Sequence, residues 1–172
     1  MDTTNILKTA NVLKTARIAA ILIGIGLGGF VDGILLHQIL QWHNMLSSVF
    51  PPKTIPNLEI NMRWDGFFHA ATWLITVIGI FMIWHVAHQG ISLPGMQWFT
   101  GCLLLGWGIF NLVEGIVDHH LLGIHHVKYY PDQVTPISIW DLGFLVVGGL
   151  GLMGLGWMLS RLDRPSSQNS TS

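Results

Sequence analysis

The chain has 172 residues, of which 51% are hydrophobic and only 10% charged, and its mean hydropathy is +0.53. An ordinary soluble domain is roughly 25% charged, so this composition argues against a water-exposed surface over most of the chain. It also argues against a disordered tail protein, a charged coiled coil or a nucleic-acid binder. Eight Lys and Arg against nine Asp and Glu leave a formal charge of -1, which exerts no pull on an anionic partner. Cys102 is alone, so no disulfide framework and no CxxC site exists. Nine histidines in so apolar a chain are the unusual feature.

In chain order, NILKTA followed by NVLKTA reads as a short interfacial extension ahead of the first apolar run. Crossing a hydrocarbon core of ~30 Å takes about 20 apolar residues in a helix. Four such runs are present, near residues 18–40, 67–86, 98–122 and 137–159. Their apolarity is continuous rather than alternating, which excludes a β-barrel. The first run is too long for a signal-peptide core and lacks a small-x-small cleavage site, so it reads as a retained span. The expectation is an all-α, multi-pass bundle of four transmembrane helices forming one integral-membrane domain.

Lys8, Lys14, Arg17, Arg161 and Arg164 flank one side, against Lys53, Arg63 and Lys128 on the other. By the positive-inside rule both termini are cytoplasmic, in the inner (plasma) membrane. The connections at 47–63 and 129–136 then face outward. Residues 165–172, SSQNSTS preceded by a proline, read as a disordered tail.

The first and third runs match at a constant offset. Gly24 and Gly26 align with Gly106 and Gly108, Asp32 with Glu114, and Gly33 with Gly115. His37 aligns with His119, and His43 with His125. Trp64-Asp65 and Trp140-Asp141 open the second and fourth runs, and Leu145 stands opposite His69. Matched glycines arise easily by chance; an acid and two histidines at identical spacing do not. The reading is a duplicated helical hairpin, with halves near 18–89 and 98–162, related by an axis along the membrane normal. Gly24, Gly26, Gly28, Gly106 and Gly108 are expected at close-packed helix seams.

An ionisable group inside a span costs about 2.5–3.5 kcal/mol on insertion scales and usually faces protein or a water-filled cavity. Here nearly all such groups fall in the outward half; His85 and His88 alone sit at the inward side. At 100° per residue, Asp65, His69, Thr72 and Thr76 form one stripe, and Asn111, Glu114, Asp118 and His125 another. Asp32 shares a face with His43, while His37 lies on a neighbouring stripe. Bundles build carboxylate–histidine metal sites from such facing side chains.

A mixed Asp/Glu/His set suits a divalent first-row ion such as Zn, Fe, Mn or Cu(II). The principal metal ligands expected are His37, His69, His119, Asp32, Glu114 and Asp118. His43, Asp65, His120, His125, His126 and Asp141 are additional candidates. Against them, histidines at the membrane edge (His43, His125, His126) are commonly wet loop residues. Asp65 and Asp141 suit the N-caps of inward-running helices. Haem b between two histidines and a metal-free proton relay are the alternative functions, with a scaffold as the bland reading. Enzymatic activity is left open.

The strings GGFVDGILLHQILQWHNM, DGFFHAATWL and NLVEGIVDHHLLGIHHV resemble a bacterial family of small four-span proteins, domain of unknown function 2243. The resemblance extends over about residues 18–159 and implies an inner-membrane protein. Its motif residues here are Asp32, His37, His43, Asp65, His69, Glu114, Asp118, His119, His120, His125 and His126. It also carries an association with haem-copper oxidase assembly, which adds copper or haem to the expected cofactors and oxidase assembly factors to the partners.

Overall fold

A computed structural model describes residues 3–128 and 138–162. Four helices are long and apolar enough to cross a membrane: α1 Thr3–Ile39, α2 Ile55–Ala87, α3 Met96–Leu121 and α4 Ile139–Leu162. The chain is an all-helical membrane protein. The N-terminal extension continues α1 without a break. The second helix starts earlier than hydropathy suggests, because Thr54 caps it by accepting from Asn57 N and Pro56 falls in its first turn, where a missing N–H costs nothing. The expected connection at 129–136 and the tail at 165–172 lie outside the described residues.

α1 and α3 form the inner pair. Within their most apolar stretches 44% and 39% of residues are buried, against 11% for α2 and for α4, whose side chains mostly face outward from the bundle. α2 packs on α1 and α4 packs on α3, and no substantial backbone packing joins α2 to α4 among the described residues. At the end holding both N-terminal turns of α1 and α3, Val12, Ala16, Ala20, Val86, Trp98 and Cys102 close an apolar core.

The seams are made by glycine, and they repeat. A Cβ on Gly24 would run into the backbone carbonyl of Leu103, and one on Gly106 into that of Ile21. Gly26 lies against Thr72 and Thr76, Gly108 against Gly149 and Met153. Gly33 faces Phe68 and His69, Gly115 faces Phe144 and Leu145. Gly79 meets Ala19 and Ile23, Gly156 meets Gly101 and Leu105. Every contact in the first set has its counterpart in the second, and the α1 and α3 positions keep the offset the sequence shows. The α2-to-α4 offset grows by one residue between Phe68/Phe144 and Thr72/Gly149. A π-helical stretch, Phe144–Gly151, accommodates that extra residue.

Two further π-helical stretches end α1 and α3, at Asp32–Ile39 and Gly115–Leu121. Such turns are rare and frequently sit at functional sites. They matter here because they set which polar side chains meet.

Candidate metal centre

An α-helix stacks residue i beside i+4, whereas a π turn, with its i→i+5 hydrogen bonds, brings i+5 alongside. Asp32 and His37 are five apart, as are Glu114 and His119. In the π segments each pair closes: His37 Nε2 is 3.1 Å from Asp32 Oδ2, and His119 Nε2 is 3.0 Å from Glu114 Oε1. The other ring nitrogen of each faces an acid from the partner helix. His37 Nδ1 lies 3.0 Å from Asp65 Oδ1, and His119 Nδ1 lies 3.5 Å from Asp141 Oδ1. Each half of the bundle therefore holds an imidazole between two carboxylates. All six side chains are buried.

The remaining histidines arrive from the turns that follow. The backbone becomes left-handed at Gln41 (φ 51°) and at its counterpart Gly123 (φ 58°), ending the helices and folding the chain back under the bundle. His43 Nδ1–H donates to Val127 O at 2.8 Å, and His125 Nδ1–H donates to Met45 O at 3.0 Å. The anchors are thus exchanged, each half fixing the histidine of the other. The His43 and His125 rings stack with centroids 4.8 Å apart and an interplanar angle of 5°. The same turns secure the clamping acids. Asp65 accepts from Met45 N and Asn44 Nδ2, both at 2.8 Å. Asp141 accepts from Val127 N and His126 Nδ1–H, both at 2.9 Å.

These anchors decide where the lone pairs point. A carbonyl only accepts, so His43 and His125 each carry a proton on Nδ1 and turn Nε2 to the centre; His43 Nε2 has no partner there and presents its lone pair. Burial, with His125 and His37 alongside, holds the His43 imidazole well below the usual histidine range, which keeps it neutral near pH 7. His37 Nδ1–H donates to the Asp65 carboxylate, which sets the ring so that Nε2 faces Asp32. His125 Nε2 is 2.8 Å from Glu114 Oε1.

Several buried atoms make no hydrogen bond: Asp32 Oδ2, His37 Nε2, His43 Nε2, Ser47 Oγ, Glu114 Oε2 and both ring nitrogens of His119; those of Asp32, His37 and His119 face an opposite group at 3.0–3.5 Å and are ion-paired only when the imidazole is protonated. Buried polar atoms are nearly always paired, and each exception calls for a cause. Apart from the Ser47 hydroxyl, the orphaned atoms are good metal donors. Two triads bring such atoms within 4.8 Å of one another: His37, His43 and His125, and Glu114, His119 and His125. His125 belongs to both.

Of the ligands expected from sequence, His37, His119 and Glu114 fall in these triads, and Asp32 contacts His37. His69 is only partly buried, donates through Nδ1 to Asp65 O at 2.7 Å, and belongs to neither triad. Asp118 and His120 are half-buried and also stand outside them. The edge-loop expectation fails for His43 and His125, which are 2% and 0% exposed because the returning turns cover them. Asp65 is no N-cap, since α2 begins ten residues before it. Asp141 does take part in a capping box with Ser138, yet it also clamps His119 and the 126–127 turn. The helical-wheel assignment that separated Asp32 from His37 fails for a plain reason: it assumed α-helical rotation through a π segment. His126, an additional candidate, serves Asp141 and lies outside both triads.

A family model described as "Predicted membrane protein (DUF2243)" matches residues 19–163. The chain belongs to that family. A comparison with curated proteins and one with solved structures each return no match.

Proposed function

We propose that this member of the DUF2243 family holds a divalent transition metal at the end of the bundle where α1 and α3 finish, in a centre shared by two duplicated hairpins. The observation that carries the reading is the convergence of buried, unpartnered nitrogen and oxygen donors from His37, His43, Asp32, Glu114 and His119. With the imidazoles neutral, lone pairs so arranged repel one another in a low-dielectric interior, and a metal cation in place of the protons removes the repulsion. His43, His119 and His125, with Glu114 and His37, are the ligands of first choice; Asp65 and Asp141 fix the His37 and His119 rings as outer carboxylates do in known metal sites. Nitrogen and carboxylate donors suit Zn, Fe, Mn or Cu(II). Such an ion would supply Lewis-acid or water-activating chemistry.

The charge bias of the termini supports an outward-facing centre in the inner (plasma) membrane, with both termini cytoplasmic. The same chemistry suits a protein that holds metal for assembly of a respiratory oxidase, with assembly factors as partners. A b-type haem finds less support, because the rings of His37, His43, His119 and His125 pack on one another at 4.4–4.8 Å between neighbours, with no slot for a porphyrin between them. A metal-free proton relay is disfavoured by the apolar core of Ala16, Ala20, Val86 and Cys102 at the opposite end.

X-ray absorption at the metal edge tests the ligand set directly. Protein loaded with Zn or Cu(II) is expected to show nitrogen and oxygen neighbours with imidazole scattering and no sulfur, Cys102 lying in the opposite core. A sulfur shell, or a metal coordinated by water alone, would contradict the assignment.

A further inference from the structure

α2 and α3 both flank α1, and a cleft of about 290 Å³ lies where the three meet. Its walls include Ile25, Phe68, Phe110 and Val113, and two carboxylates, Glu114 and Asp118, complete the lining. Val113 is 57% exposed, on the side of the molecule that faces the bilayer, so the cleft opens toward hydrocarbon. Whatever enters by that route is soluble in lipid.

The acids dictate the head group. Glu114 is taken up by the histidines, Oε1 facing both His119 and His125, and its buried Oε2 is among the donors assigned to the metal. The Asp118 carboxylate is half-buried in the cleft wall and has neither hydrogen bond nor ion pair among the described residues. An ionised carboxylate only accepts, and removing one from water without a partner is costly. A ligand that recovers that cost brings an O–H or N–H donor. The rings of Phe68 and Phe110, with centroids 6.0 Å apart and planes at 47°, offer an aromatic wall that favours a planar ring in edge or offset contact.

The matching place in the other half is built differently. Trp107 stands there for Ile25, packed against Gly28, and Leu36 stands for Asp118. The clamps are common to both halves, but only one of them places a second acid beside an apolar cleft.

We propose that this cleft is a lateral binding site for a lipid-soluble phenol or hydroquinone, entering ring first from the bilayer and donating its hydroxyl to the Asp118 carboxylate. Glu114, beside Asp118 in the lining, belongs to the metal centre, so the ligand hydroxyl is brought next to it; that adjacency rests on the proposed metal function, while binding itself does not.

The test uses the full chain in lipid nanodiscs, with decylhydroquinone as probe and its dimethyl ether, which has no O–H to donate, as control. Metal content is counted on the same preparations. Saturable hydroquinone binding is expected, with the ether bound about tenfold more weakly or less. Val113→Trp, which fills the cleft mouth and replaces no ligand of the metal, is expected to weaken binding about tenfold and leave the metal content unchanged. Ile109→Trp on the same wall is the second variant, used if the first fails to fold. Equal binding of probe and ether, or full binding by a correctly folded cleft-filling variant, overturns the proposal. Binding with this pattern in protein that takes up no metal even on reconstitution would sustain the cleft and remove the metal reading. Metal retention without hydroquinone binding would do the reverse.

Discussion

Around His37, the clamping Asp65 is secured by Asn44 and Met45 N; around His119, Asp141 is secured by His126 and Val127 N. The inner acid is Asp32 in one half and Glu114, one methylene longer, in the other. The longer arm carries Glu114 Oε1 to both His119 and His125, while Asp32 reaches only His37 among the imidazoles. His69 packs on Gly33 in the first half where Leu145 packs on Gly115 in the second. What the halves hold in common is an imidazole between two carboxylates and a second imidazole anchored across the axis. What differs lies around that core. The shared part is therefore the part to assign to metal, and the differing part is the part to assign to whatever distinguishes the two sides.

The comparison can be broken most severely at its axis. Replacing both Gly24 and Gly106 by Leu drives side chains into the backbone carbonyls of Leu103 and Ile21. Overpacking of side chains alone costs about 1–3 kcal/mol, and a carbonyl cannot move aside as a side chain can, so loss of the folded bundle is expected in a detergent thermal-melting assay. A melting point near that of the wild type would show that α1 and α3 do not pack as described.

Next comes the exchanged pair. His125→Ala removes the donor common to both triads, and metal affinity is expected to drop more than ~100-fold, above the usual range for outer groups. His43→Ala removes a donor from one triad only and should cost less. If competition titration finds the order reversed, His125 is not the shared ligand.

The clamps follow. Asp65→Asn and Asp141→Asn keep shape but weaken the hold on His37 and His119, with roughly 10–100-fold losses in affinity for groups of this kind. Similar losses for the two variants would confirm that the halves work alike; a large loss for one and none for the other would show a centre confined to a single half.

His69→Leu makes the first half resemble the second, where Leu145 already fills that place. The smallest effect belongs here: metal content unchanged and affinity within about tenfold, less than an outer-group loss. A clear loss of metal would return His69 to the ligand set.

Much of this arrangement was legible in the sequence. Hydropathy marked the four spans, and the constant offset between the first and third runs paired Asp32 with Glu114, His37 with His119 and His43 with His125. The clustering of acids and histidines toward one end marked where the buried cluster lies. The register within it was not legible. The wheel at 100° per residue set Asp32 apart from His37, because nothing in the composition of Asp32–Ile39 announces a π turn. The one available signal was that both halves place a histidine five residues after an acid. The burial of His43 and His125 was missed for a related reason: their positions depend on left-handed residues at Gln41 and Gly123 that turn the chain back, and a glutamine gives no sign of that conformation.

The most direct test of the account is a count of bound metal per polypeptide by elemental mass spectrometry, on untagged protein in mild detergent, beside the His43→Ala/His125→Ala double variant. The account predicts a stoichiometric transition metal in the wild type, lost in a double variant that still melts as a folded bundle. No metal in the wild type, even after reconstitution with Zn, Cu(II), Fe and Mn, would contradict it.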